Sequence, residues 1–132
     1  MRDADTLEML ANECERMHDG RSLDQDELFA IFRAARPLAS FANSLQHCMA
    51  HEEFASLWER GAELDAAMMI APPGCMYRSG HDGTGPDPSR FFCDAVTDAP
   101  ACRRVRATAE TESLARLAAF LRAHIPMEDK PT

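Results

Sequence analysis

Four potential metal ligands lie in the central part of the sequence. They are Cys75, His81, Cys93 and Cys102. Thiolate and imidazole groups bind zinc tetrahedrally, and three cysteines with one histidine form an accepted structural set. The segment that contains them is rich in proline and glycine, so a bound metal would supply folding energy that the segment otherwise lacks. The residue types therefore indicate a zinc site made by all four side chains.

The spacing of these four residues leaves other interpretations open. No pair of them has the CxxC spacing that makes a zinc assignment strong. In the competing interpretation the cysteines are partly buried thiols and His81 is a surface residue. A disulfide, or simple packing against helices, would also order the segment.

Two histidines four residues apart form a second candidate metal site. On a helix His47 and His51 share one face, where two imidazoles can chelate an ion. The pattern lacks the glutamate of the HExxH motif, so hydrolase chemistry does not follow. The pair shares a stripe with Phe54 and Trp58, which predicts that it faces protein or a pocket. A packed or interface histidine pair is the competing interpretation.

A basic cluster follows the last of these cysteines. Arg103, Arg104 and Arg106 can hold a phosphate or an acidic partner. The alternative is a solvated face that pairs with the molecule's own acids. No catalytic signature accompanies the cluster, so the sequence leaves enzymatic activity uncertain and favours its absence.

Charge is distributed unevenly along the chain. The formal net charge is −8, and residues 1–65 carry all of it, with 14 acids and 6 arginines. Residues 66–132 carry 8 acids and 8 bases. This balance disfavours nucleic acid as a general partner and suits a basic partner protein at the acidic helices. Negative charge that only maintains solubility is the competing explanation.

Apolar residues recur at helical spacing on both sides of the central segment. They predict helices over about 6–18, over about 23–36, and from 108–111 to about 124. Ser22 with Gln25 has the spacing of a capping box at the start of the second helix. These helices are expected to supply most of the core.

The stretch 37–71 contains two apolar stripes that point in different directions. The first is formed by Leu38, Phe41, Ala42, Leu45 and Met49, and the second by Phe54, Leu57, Trp58, Leu64 and Met68. The change of direction favours a helix break at about 50–53. The alternative is one long helix, which would need a partner subunit and would make the protein a homodimer.

Residues 90–106 fit two local structures. Pro88 is a good first helical residue after Asp87, and the apolar residues that follow favour a short helix. The alternative is a hairpin that pairs RFFCDAV with ACRRVRA, in which Cys93 and Cys102 lie close across the strands.

The fold expected from these elements is mostly α. It is a compact bundle of four or five helices with a long irregular insertion, about residues 72–90, before the last helix. Residues 1–126 form a single helical domain, and residues 127–132 form a polar tail. We expect no signal peptide and no membrane span, because the sequence contains no long apolar run, and five cysteines, an odd number, suit the cytoplasm.

The expected function is that of a small intracellular protein-interaction module. It would be a regulator, adaptor or inhibitor that acts through an acidic helical face or the central loop. The expected partner is another protein, without nucleic acid or membrane. The alternative is a metal-binding protein or metalloenzyme that holds zinc in the central segment.

Overall fold

The structure is a computed structural model that describes residues 4–17, 22–81, 90–97 and 103–125. These residues form a mixed α/β fold. Its elements are α1 (Ala4–Arg16), α2 (Gln25–Ala35), a short 3-10 helix (Leu38–Ser40), α3 (Ser44–Glu59), α4 (Glu63–Met68), β1 (Met76–His81), β2 (Phe91–Thr97), β3 (Arg103–Ala109) and α5 (Glu112–Ala123). The prediction of a mostly α bundle is therefore wrong, because a sheet occupies the segment between α4 and α5.

The three strands form one antiparallel sheet in the order β1-β2-β3. The predicted short helix over 90–106 is wrong, and the hairpin alternative has the right secondary structure with a different register. Cys93 lies opposite Ala107 rather than opposite Cys102, which falls outside the described residues. The predicted irregular insertion is also wrong over 76–81, which form β1, while 82–89 are not described.

Helix α5 covers one face of the sheet and carries the centre of the core. Nearly all of its residues are buried, and Phe120 and Leu117 are completely so. The strands beneath it present small buried residues: Cys93, Ala95, Ala107 and Ala109. Small side chains let a helix approach a sheet closely, and burial of their apolar surface stabilises the contact. The predicted last helix is confirmed, with Thr111 as its N-cap.

Helix α2 begins with a capping box two residues later than predicted. The Glu27 N–H donates to Asp24 Oδ1 at 2.8 Å, and the Asp24 N–H donates to Glu27 Oε1 at 3.0 Å. The two side chains thus satisfy main-chain donors that a helix start leaves unpaired. Ser22 and Gln25 have the same spacing, and sequence alone does not separate the two pairs.

Neither alternative predicted for residues 37–71 is correct. Helix α3 runs without interruption through 50–53, where the break was expected. The chain breaks instead before Ser44, where Asn43 caps α3, and at Gly61, whose φ of +88° favours glycine. Because these residues do not form a single helix, the condition attached to the homodimer prediction is not met.

The first predicted stripe of this stretch is largely exposed. More than half of the surface of Leu38, Leu45 and Met49 is accessible. By contrast, Phe54 and Trp58 of the second stripe are buried. The amino-terminal half of α3 therefore presents apolar side chains outward.

In the described ranges, no helix has both the length and the apolar character needed to span a bilayer.

Lysine at both Leu45 and Met49 is expected to change the free energy of unfolding by less than about 0.5 kcal/mol, because neither side chain is covered. Urea denaturation of the double variant measures this change. Gln46→Lys, at an exposed polar position of the same helix, is the control. A loss above about 2 kcal/mol in the double variant alone would show that the apolar stripe is covered in solution.

Candidate functional site

The structure separates the predicted zinc ligands that it describes. Cys75 lies half-buried before β1, His81 ends β1 in solvent, and Cys93 is completely buried under α5. Among the described residues, no three His, Cys, Asp or Glu side chains lie close enough together to hold a metal ion. Cys102 falls outside the described residues, so the four-residue site stays a prediction.

Burial weakens the acidity of the two central thiols. It raises the pKa of Cys93 to about 12. Burial also raises the pKa of Cys75, although a hydrogen bond from the Val96 N–H acts in the opposite direction. Both thiols are therefore protonated at neutral pH, and a metal ion would have to displace those protons.

The two histidines of α3 lie on the same side of the helix. Their rings are parallel, with centroids 6.5 Å apart and an interplanar angle of 3°. His47 Nε2 lies 3.1 Å from the carbonyl oxygen of Arg36, to which it must donate because that oxygen only accepts. A metal ion at His47 Nε2 would therefore have to displace this hydrogen bond.

His51 is the more enclosed member of the pair. It is 4% exposed, and its Nε2 has no hydrogen-bond partner in the structure. Burial lowers the pKa of His51, and the charge of His47 lowers it further. His51 also borders an open cavity of about 410 Å³ between α2 and α3. The metal site predicted at His47 and His51 stays a prediction, because the described residues supply no third ligand close to the two imidazoles.

The face of the sheet opposite α5 is a surface that sequence reasoning did not assemble. Alternate residues of a strand point to opposite sides, so the strand register defines this outer face. Its members are Met76, Arg78 and Gly80 of β1, Phe92, Asp94 and Val96 of β2, and Arg104, Arg106 and Thr108 of β3. The side chains of Arg78 and Arg104 are 70% and 61% exposed, which marks the outer face as accessible.

Three arginines of the outer face surround one carboxylate. This arginine cluster consists of Arg78, Arg104 and Arg106, whose guanidinium nitrogens lie 3.3, 3.0 and 3.3 Å from Asp94 Oδ2. The arginines leave only 3% of the Asp94 side chain exposed. Burial raises the pKa of Asp94, but hydrogen bonds and charges from the arginines outweigh it, so the pKa lies below its ordinary value.

An aromatic ring supports the arginine cluster from within the same face. The Arg106 and Arg78 guanidinium carbons lie 4.7 and 5.8 Å from the ring centroid of Phe92. Such cation–π contacts hold a planar guanidinium over the ring and leave N–H donors at its rim. The outer face therefore presents positive charge in a defined arrangement.

The structure shows which residues of the predicted basic cluster contact the molecule's own acid. Arg104 and Arg106 pair with the molecule's own acid, Asp94, whereas Arg103 projects to the other side and donates to the carbonyl oxygen of Ile125. Arg78 was missed because it lies on another strand. A strand assignment with its two-residue period is the signal that separates Arg103 from the other two arginines.

Comparison with protein-family models, with curated proteins and with solved structures found no match to this chain. The proposal about function is therefore based on the surfaces of this chain and their chemistry.

Proposed function

We propose that this protein is a protein-interaction module that binds an acidic segment of a partner protein on the outer face of its sheet. The observation that carries the proposal is the arginine cluster, in which three guanidinium groups share the single carboxylate of Asp94. An arginine side chain has five N–H donors, so Arg78 and Arg104 retain donors for the carboxylates of a partner. The central segment, rather than the acidic helices, is the proposed binding surface.

Asp94 and Phe92 prepare the arginines for binding. A flexible arginine loses conformational freedom when it grips a ligand, which weakens binding. Here the carboxylate and the ring already hold the guanidinium groups near one another. Part of the conformational entropy of these arginines is therefore already lost on folding, so less is lost on binding. This favours a short acidic segment as a ligand.

The distribution of charge along the chain also favours binding of an acidic partner at the sheet. The amino-terminal half carries the formal net charge of −8, whereas the arginine cluster is a local positive patch on the sheet. The acidic helices repel an acidic partner and the arginine cluster attracts it. The electrostatic potential of the protein therefore favours binding at the outer face of the sheet. A regulator, an adaptor or an inhibitor can work in this way.

The free thiols of Cys14, Cys48, Cys75 and Cys93 suit the reducing cytoplasm as the location of the protein.

Replacing Arg78 and Arg104 together with glutamine is expected to weaken binding of an acidic peptide by about tenfold, because two charge-assisted contacts are lost. The probe is a capped peptide of about eight residues with alternating glutamate and valine. Isothermal titration calorimetry measures its affinity, which should also fall as salt increases.

The matched control replaces Arg33 and Arg60, two exposed arginines of the helical region, with glutamine. It makes the same change in net charge away from the sheet and should leave affinity unchanged within about twofold. Equal weakening in both double variants would contradict the proposal. Tighter binding of a single-stranded oligonucleotide of equal charge would contradict it as well, in favour of nucleic acid.

A further inference from the structure

Side chains occupy the outer edge of β3. The Thr108 N–H donates to Glu15 Oε2 at 3.0 Å, and the Thr108 carbonyl accepts from Arg90 Nη2 at 2.8 Å. The carbonyl of Arg106 accepts from Arg122 Nη1 at 3.3 Å. These contacts satisfy main-chain groups that an edge strand otherwise offers to another chain. The edge of β3 is thereby blocked at both main-chain groups of Thr108 and at the carbonyl of Arg106.

The register shows which main-chain groups of β1 face outward. Residues of β3 that direct their N–H and C=O groups away from β2 include Arg106, which lies opposite Asp94. In an antiparallel sheet Asp94 must then direct its own groups to β1, where it lies opposite Arg78. The alternate residues of β1 consequently present their N–H and C=O groups at the outer edge; they are Tyr77, Ser79 and His81.

The outer edge of β1 is open in the part of the chain that the structure describes. No hydrogen bond there reaches the outward main-chain groups of Tyr77, Ser79 or His81. Their side chains nevertheless hold β1 in place. Ser79 Oγ donates to Glu112 Oε2 at 2.6 Å, and the Tyr77 ring packs edge-on against Phe120. β1 is therefore a fixed strand with a free edge, which is the template for strand addition.

We propose that β1 accepts the acidic segment of the partner as an additional edge strand. This inference rests on the proposed function and states how the partner is held. Main-chain hydrogen bonds to the outward groups of β1 supply affinity that does not depend on side chains. On the outer face, a glutamate or aspartate of the incoming strand lies beside Arg78, and the apolar residues that alternate with it lie on the opposite face, on the side of Tyr77.

Charge argues against a second copy of this chain as the added strand. Antiparallel pairing of two β1 strands would place both arginine clusters on one face of the joined sheet. Arg78 of one copy would then lie close to Arg78 of the other, and like charges across strands are destabilising. An acidic segment replaces this repulsion with attraction, so it fits the edge better.

Ser79→Pro, compared with Ser79→Ala, tests the main-chain contacts. Both variants lose the hydroxyl that contacts Glu112 and Arg116, but only proline also removes the outward N–H. Proline is tolerated on edge strands when its nitrogen faces solvent. With the glutamate–valine peptide as probe, the alanine variant is expected to bind within about twofold of the wild type and the proline variant about tenfold more weakly.

A second pair of variants and a direct readout complete the experiment. His81→Pro with His81→Ala repeats the comparison at the exposed end of β1, in case the Ser79 variants unfold. Amide hydrogen exchange of the full chain should slow by about tenfold at Tyr77, Ser79 and His81 when the peptide is added. Thermal unfolding shows which variants are folded at the temperature of the titration.

The outcomes separate this inference from the proposed function. If both proline variants bind like their alanine controls and only the Arg78/Arg104 variant weakens binding, charge alone holds the peptide. The edge proposal is then overturned and the proposed function stands. If none of these variants weakens binding, both are overturned. If light scattering shows a dimer that Ser79→Pro dissociates, the edge belongs to a second copy, contrary to the inference.

Discussion

Replacing Arg122 with methionine is expected to lower the free energy of unfolding by about 3 kcal/mol. The Arg122 side chain is only 15% exposed and links α5 to two other elements. It donates to Glu15 Oε1 at 2.6 Å and to Asn12 Oδ1 at 2.7 Å on α1, and to the Arg106 carbonyl on β3. Methionine fills similar space but leaves these acceptors without their donor.

The partly buried carboxylate of Glu15 makes this effect depend on pH. Burial raises the pKa of Glu15, but hydrogen bonds from Arg122 and the Thr108 N–H, with the charge of Arg122, bring it below its ordinary value. A carboxyl whose pKa is lower in the folded chain stabilises the fold above its unfolded pKa, and this contribution is lost as the pH falls through the folded value. The difference between wild type and variant should therefore shrink as the pH falls below about 4.5.

Urea denaturation of both proteins across this pH range measures the effect. Arg33→Met, at an exposed position on α2, is the control and should change stability by less than about 0.5 kcal/mol at any pH. A loss below about 1 kcal/mol for Arg122→Met at neutral pH would show that solvent screens the contacts between α1 and α5.

Replacing Asp94 with asparagine is expected to lower the free energy of unfolding by about 2 kcal/mol at low salt. Asparagine keeps the shape of the side chain but removes the charge that three guanidinium groups share. The arginines then repel one another. Their side chains are 44–70% exposed, so water screens this repulsion and keeps the expected loss below that at Arg122. About half of the loss should return in 1 M salt, which screens exposed charges further.

The wild type should also lose the Asp94 contribution in acid. Burial raises the pKa of Asp94, and the arginines lower it by more, so the folded value lies below the unfolded value. Stability from this carboxylate is present above the unfolded pKa and disappears as the pH falls through the folded value. The asparagine variant cannot show this loss at the site.

Asp65→Asn supplies the matched control for the salt and pH series, because it removes one exposed carboxylate of α4. It should alter stability by less than about 0.5 kcal/mol, with little dependence on salt. If Asp94→Asn behaves in the same way, the arginine cluster does not depend on Asp94 for its stability.

The helices with one continuous buried stripe could be predicted from the sequence, and α5 is the clearest case. The strand β2 could not, since its apolar residues lie on both faces. Phe91 and Ala95 point towards α5, whereas Phe92 and Val96 belong to the outer face. These four positions together resemble the spacing of a helix. Apolar residues on the outer face therefore concealed the two-residue period of the strand.

The organisation of α3 shows a second limit of sequence patterns. Leu45 and Met49 have the spacing of buried residues, yet the fold leaves them exposed, because periodicity does not show whether another element covers a stripe. Gly61 is the only glycine in the stretch 37–71 and could have indicated the observed break. The change of direction between the two apolar stripes favoured a break at about 50–53 instead. Asp94 and Arg78 likewise meet only through strand register, which no local pattern contains.

The partly occupied edge of β3 bears on how copies of this chain can associate. At the far edge of the sheet, Glu15 and Arg90 occupy the main-chain groups of Thr108, and Arg122 occupies the carbonyl of Arg106. Fibres built by edge-to-edge pairing need two open edges in each molecule. The occupied groups at Thr108 therefore disfavour fibres built from copies of this chain.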